Sequence, residues 1–137
     1  MLRSDPQSEG SLYIAADTVV VLGGTILGKP GGPDEAAAML AGLSGRAHQV
    51  TTGFCVLNGD LSHVQTVTTD VWFRAITGDV IARYVATGEP LDKAGSYGIQ
   101  AGGGAFVERI SGSYSNVVGL PLVETLAALA TLGGPEL

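Results

Sequence analysis

Asp17 stands in a run that is otherwise almost wholly apolar, IAADTVVVL from Ile14 to Leu22. A carboxylate in such a run is costly to bury unless it is paired, hydrogen-bonded or placed at a strand end. Two roles suit it. It activates water as a general base, directly or through a bound divalent metal; or, with Thr18 beside it, it satisfies the backbone of a neighbouring turn. Lys29 follows twelve residues later in Gly28-Lys29-Pro30, and Lys93 lies in Leu91-Asp92-Lys93-Ala94-Gly95. These two are among only seven basic residues. A lone lysine is an ordinary solvated charge, but a triphosphate site needs a few cations set near flexible backbone. From Gly88 to Gly104 the chain holds six glycines. They let main-chain N–H groups approach phosphate oxygens or a base edge, and they equally permit tight turns. Within this stretch Tyr97 and Gln100 offer a ring face and an amide that both donates and accepts, which suits a planar nucleobase and also plain loop packing.

The elements that must position these residues are legible from pattern. LYIAADTVVVL is rich in β-branched residues, and Gly23-Gly24 separates it from TILG, so the two read as a buried strand turning back in a hairpin. Pro33 suits the first turn of a helix and Asp34 and Glu35 its positive end, while Ala36, Met39, Leu40 and Leu43 form an apolar stripe ending near Gly45. Two further β-rich segments, HQVTTGFCVLN and LSHVQTVTTDVWFRAI, meet at Asn58-Gly59-Asp60, a strong hairpin signal. Thr77 caps a second helix, GDVIARYVATG, with Gly88 at its end. AFVERI reads as a strand, SGSYSNVVG as a turn-rich loop, and Pro121 starts a terminal helix. Residues 1–10 read as a flexible arm and 11–137 as a single domain of mixed α/β or α+β layers.

At 137 residues, 45 % hydrophobic and 15 % charged, the chain has the composition of a compact globular protein. A net charge of -6 gives no basic field for a nucleic-acid polymer. No apolar run approaches the length of a membrane span, and the first ten residues lack a signal-peptide core, so the expected location is the cytoplasm, away from membranes. The single cysteine, Cys55, in Gly53-Phe54-Cys55-Val56-Leu57, reads as a structural thiol; His48 and His63 sit alone in strand-like segments and read as structural or surface residues.

Five blocks taken together carry a resemblance: Ala16-Asp17-Thr18-Val19-Val20; Gly28-Lys29-Pro30; Leu43-Ser44-Gly45-Arg46; the run from Gly88 to Gln100; and the run from Gly112 to Leu122. In this order they resemble the Maf family, known also as septum-formation inhibitor proteins, over about Leu12 to Leu132. The resemblance implies a Maf/ITPase-like mixed sheet flanked by helices. It implies hydrolysis of a nucleoside triphosphate to the monophosphate and pyrophosphate with a divalent metal cation, magnesium or manganese, and suggests a homodimer. By that resemblance Asp17 is the proton acceptor, and Thr18, Lys29, Lys93 and Gln100 bind substrate, the lysines through its phosphates. Thr18 after the aspartate and Gly98-Ile99-Gln100 in the glycine-rich loop are similar to the subgroup acting on dTTP and UTP, with modified pyrimidine triphosphates as further substrates. The family usually opens with a strand, a Ser-x-Ser-Pro-Arg-Arg loop and a helix, whereas sixteen residues precede Asp17 here and none form that motif. The alternative expectation is therefore a truncated, catalytically weak domain that binds nucleotides or a cell-division partner.

Overall fold

The structure, a computed structural model, describes residues 12–133; the arm expected at residues 1–10 lies outside them. Five strands form one sheet: β1 (Leu12–Leu22), β2 (Thr25–Leu27), β3 (Ala47–Asn58), β4 (Leu61–Phe73) and β5 (Val107–Ser111), in the order β2-β1-β3-β4-β5. Four helices accompany them: α1 (Pro33–Leu43), α2 (Gly78–Ala86), α3 (Tyr114–Val118) and α4 (Leu122–Thr131). The expected α/β class with a helix-flanked sheet is what is seen. Within it every described strand pair is antiparallel, where a mixed sheet was expected, because tight hairpins join β1 to β2 and β3 to β4 and the longer connections also return the chain in the opposite sense.

The β3–β4 hairpin closes with Asn58 opposite Leu61, leaving Gly59 and Asp60 as its loop. Only Gly59 takes the left-handed backbone there, at φ 59°, so the turn demands glycine at one position and not at two. Pairing then runs unbroken to Ala47 opposite Trp72, and on the other side β3 pairs with β1 from Leu12 opposite Asn58 to Val21 opposite Gln49.

Side chains alternate along these long ladders. His48, Val50, Thr52, Phe54 and Val56 of β3 are all buried on one face, joined by Val20 of β1 and Thr69, Val71 and Phe73 of β4. The opposite face carries polar pairs among exposed apolar side chains such as Val64: Thr51 Oγ1 meets Thr68 Oγ1 at 2.9 Å, Gln49 donates to Asp70, and the Arg109 guanidinium lies 4.0 Å over the Trp72 ring. Such a sheet has one packed and one solvated face.

Helices α1 and α2 cover one end of the packed face. Leu40 and Leu43 of α1 and Ile81 and Tyr84 of α2 join Val50, Val71, Phe73, Tyr97 and Phe106 in one apolar cluster. Thr77 caps α2 as expected, its Oγ1 accepting from Val80 N. Helix α4 covers the other end, with Ala128, Leu129 and Leu132 against Phe54 and Val56. Between the two clusters runs a polar belt. Here the segment expected as a loop is instead the short helix α3, because Ser113 Oγ accepts from Asn116 N and caps it. Asn116, fully buried, donates from its amide to Val50 O, Val67 O and Thr69 Oγ1. The Thr69 hydroxyl donates in turn to Ser113 O.

His48 is fully buried, its Nε2 2.7 Å from the Tyr97 hydroxyl and its ring edge-on to Phe73 and Tyr97. Burial pushes the imidazole pKa down from 6.5 to about 4. An unfolded chain therefore takes up this proton as pH falls below 6.5, while the folded protein holds the ring neutral until about 4. Stability from this site is complete above the upper value and is lost through that window. Between pH 7 and 4.5 the parental protein should lose about 2 to 3 kcal/mol relative to His48→Gln. Denaturant titrations of both proteins across this range measure the difference, and a constant gap would show that the imidazole is not held neutral.

Candidate active site

A cavity of about 450 Å³ opens on the packed face where β1 and β3 meet the glycine-rich segment. Thr18, Val20 and Val50 form its floor, Lys29 stands at one side, Lys93, Ala94 and the run from Tyr97 to Ala101 form the wall, and Val117 to Gly119 at the end of α3 close it. Four of the five residues to which the family resemblance assigns roles, Thr18, Lys29, Lys93 and Gln100, thus converge although they are up to 82 residues apart, from Thr18 to Gln100.

Backbone contacts bring them together. The segment between α2 and β5 is not an open loop but a succession of tight turns over Glu89–Asp92, Ala94–Ser96 and Gly102–Phe106. Gly95 N donates to Gly28 O at 3.1 Å, and this bond sets the Lys93 turn beside the Lys29 turn. Gly95 has φ 71°, and a Cβ there would stand 2.9 Å from both methyls of Val20, so conformation and space both require glycine. Ser96 is the one non-glycine among the described residues with positive φ, at 70°; it is fully buried and its hydroxyl meets Met39 Sδ at 3.1 Å. The stem of Lys93 runs along Gly98, where a Cβ would lie 2.9 Å from Lys93 Cε.

Each predicted residue has a definite place. Lys29 and Gln100 are exposed at the cavity rim, and Lys93 is half-buried with its Nζ 3.6 Å from Asp92 Oδ1. Asp92, 77 % exposed in its side chain, also lines the cavity and leaves the Lys93 ammonium available to a stronger anion, since so exposed an ion pair is weak. The Thr18 hydroxyl is 2.8 Å from Thr52 Oγ1 and donates to Gly119 O at 3.2 Å, tying the end of α3 to the cavity floor.

Asp17 is not brought to this cavity. Thr18 faces the helices, and the two-residue alternation of β1 turns Asp17 to the solvated face, opposite Gly53, where it borders a shallow depression with Ala15, Cys55 and Val64. Tyr97 lines the cavity but offers no free ring face: it is buried, packed edge-on to Phe73 and His48, and burial raises its phenol pKa. Of the two roles open to it, loop packing is the one seen. Among the described residues no three His, Cys, Asp or Glu side chains converge to hold a metal ion.

Some of the architecture escaped sequence reasoning. Asn116 and Glu89 were not singled out, although the Ser113-to-Asn116 spacing is that of a helix cap and pointed to α3.

The family model described as Maf-like protein matches residues 3–132. The chain belongs to the Maf-like family. Among curated relatives of this Maf-like chain, the dTTP/UTP pyrophosphatase of Shewanella denitrificans is 56 % identical over 119 residues, covering 87 % of this chain and 60 % of its own. That of Thermococcus kodakarensis is 55 % identical over 120 residues, covering 88 % and 63 %. That of Anaeromyxobacter dehalogenans strain 2CP-1 is 54 % identical over 132 residues, covering 92 % and 67 %. The chain thus spans about three fifths of the length of the first two. No described helix is long and apolar enough to cross a membrane.

Gly95→Ala tests the bond that joins the two lysine turns. A methyl at positive φ and against Val20 should cost about 2 to 4 kcal/mol, read as a lower denaturation midpoint. Gly28→Ala, where a Cβ meets nothing within 4 Å, should cost far less. Equal losses at the two positions would remove Gly95 from this role.

Proposed function

We propose that this Maf-like chain binds a pyrimidine nucleoside triphosphate in the cavity and hydrolyses it to the monophosphate and pyrophosphate. The observation that supports this is the convergence of Thr18, Lys29, Lys93 and Gln100 on one cavity, together with relatives named dTTP/UTP pyrophosphatase. Water attacks the α-phosphorus, the bond to the oxygen bridging to the β-phosphorus breaks, and pyrophosphate leaves with the charge. Lys29 and Lys93 stand where they would neutralise that charge, the largest electrostatic demand of the reaction. Gln100, on the glycine-rich wall of the site, reads the donor and acceptor edge of the base. A magnesium or manganese ion carried on the substrate's phosphates would screen their charge and polarise the phosphoryl group under attack.

Asp17 is proposed as the proton acceptor on family grounds. Its position on the solvated face supports a second reading, in which the chain binds nucleotides with little turnover. The same position makes Asp92, a carboxylate on the cavity itself, the alternative base. Pyrophosphate release from a panel of nucleoside triphosphates with magnesium or manganese, run beside equilibrium binding of the same nucleotides, separates turnover from binding alone.

If Asp17 is the base, Asp17→Asn removes it and keeps the shape, so dTTP turnover should fall by at least ~10²-fold with binding largely preserved. A parental rate in that variant would pass the role to Asp92, to be met by the same loss in Asp92→Asn.

Gln100→Glu replaces the amide donor by an acceptor and leaves one polar group of the base unpaired. Discrimination between UTP and GTP should weaken by ~1 to 3 kcal/mol. An unchanged ratio of kcat/KM for the two substrates would place base reading elsewhere.

A further inference from the structure

Gln100 sits at the tip of a turn whose two ends are held by a carboxylate outside the cavity. Tyr84 OH donates to Glu89 Oε1 at 2.6 Å and accepts from Gly98 N at 3.2 Å. Glu89 Oε2 accepts from Gly102 N at 3.3 Å, and Oε1 also accepts from Gly103 N at 3.4 Å. Every partner of the carboxylate is therefore a donor, and the chain of bonds from Gly98 through the phenol ends on an anion. Charge-assisted bonds of this kind are the strong ones, and successive bonds polarise each other.

The turn has little freedom to move otherwise. Ala101 N donates to Gly98 O at 3.2 Å, and a Cβ on Gly103 would stand 2.7 Å from Gly98 O and 3.0 Å from Tyr84 OH. The phenol itself is fixed: Tyr84 is buried and its ring is edge-on to Phe106 at 4.9 Å. Burial and the neighbouring Glu89 push the phenol pKa up, so it stays a donor at working pH. Glu89 does not line the cavity, yet the position of Gly98, against which the Lys93 stem rests, and of Gln100 both follow from its bonds.

We propose that Glu89, acting through the Tyr84 hydroxyl and the Gly102 and Gly103 amides, is the positioning residue that sets Gln100 for base selection. This rests on the reading that Gln100 reads the base. Glu89→Gln keeps the shape but turns an amide NH2 toward groups that are all donors. Tyr84→Phe removes the link to Gly98 by an independent route.

The test is the ratio of dissociation constants for non-hydrolysable α,β-methylene analogues of UTP and GTP, measured by calorimetry on the 137-residue chain, with far-UV circular dichroism to establish that each variant is folded. Glu89→Gln and Tyr84→Phe should each shrink the UTP preference about tenfold, the weight of one charge-assisted hydrogen bond. In a Gln100→Glu background, Glu89→Gln should shrink it no further. The parental preference in both single variants would overturn the proposal, as would independent losses that add in the double variant. If Gln100→Glu keeps the parental preference while Glu89→Gln loses it, base reading by Gln100 is the part that fails, and Glu89 does not act through it. Should Glu89→Gln not fold, Tyr84→Phe alone and combined with Gln100→Glu carries the same two comparisons.

Discussion

The two-residue repeat of the β1–β3–β4 ladder governs the rest of the molecule. Once Val20, Val50 and Val71 are committed to one face, every second residue of the three strands shares it, and all the helices that need an apolar surface must gather there. The cavity inherits this side. Its floor is a set of alternate positions, Thr18, Val20 and Val50, and its walls are whatever the connections lay over them. The same rule sends Asp17 to the other face, where Thr51, Thr68, Gln49 and Asp70 keep company with water. A sheet residue cannot be moved to a site by a small adjustment, because the neighbouring position already owns that direction.

What the ladder leaves open, backbone hydrogen bonds settle. The floor carries no cation, and His48 beneath Tyr97 is held neutral by burial, so among the described residues positive charge reaches the cavity on the turns that hold Lys29 and Lys93. Their placement depends on close backbone approach, Gly95 against Val20 and Gly103 against Gly98. Glycine here is a spatial requirement rather than a sign of looseness, which is why a segment so rich in it is folded into successive tight turns.

Much of this was legible from residue pattern. Strand and helix periodicity located β1 to β4, α1, α2 and α4, because burial imposes its period on the sequence. Lys29, Lys93 and Gln100 stood out by their settings and Thr18 through the family resemblance, and the four share one cavity. The face on which Asp17 lies was not, although alternation from Thr18 and Val20 contains the answer once one of them is known to be packed. Helix α3 was missed because Gly112, Ser113 and Asn116 are turn formers; their helical arrangement depends on the distant Thr69, which accepts from both Ser113 N and Asn116 Nδ2. Glu89 was equally silent, since its partners are main-chain amides and one phenol, and no side-chain pattern encodes them.

The polar belt between the two apolar clusters has a consequence for strand pairing. Alternation alone does not distinguish the native alignment of β3 and β4 from one displaced by two residues, since both keep apolar side chains inward. The belt does distinguish them. A two-residue displacement replaces Thr69 by Val67 or Val71 opposite Val50, and Ser113 N, which donates to the Thr69 hydroxyl, loses its acceptor, as Asn116 Nδ2 loses one of its three. A backbone donor left without an acceptor away from water costs about 1 to 3 kcal/mol. Thr69 and Asn116 thus act as an alignment key in the middle of a long, otherwise repetitive ladder, and misaligned chains are penalised where an all-valine belt would have tolerated them.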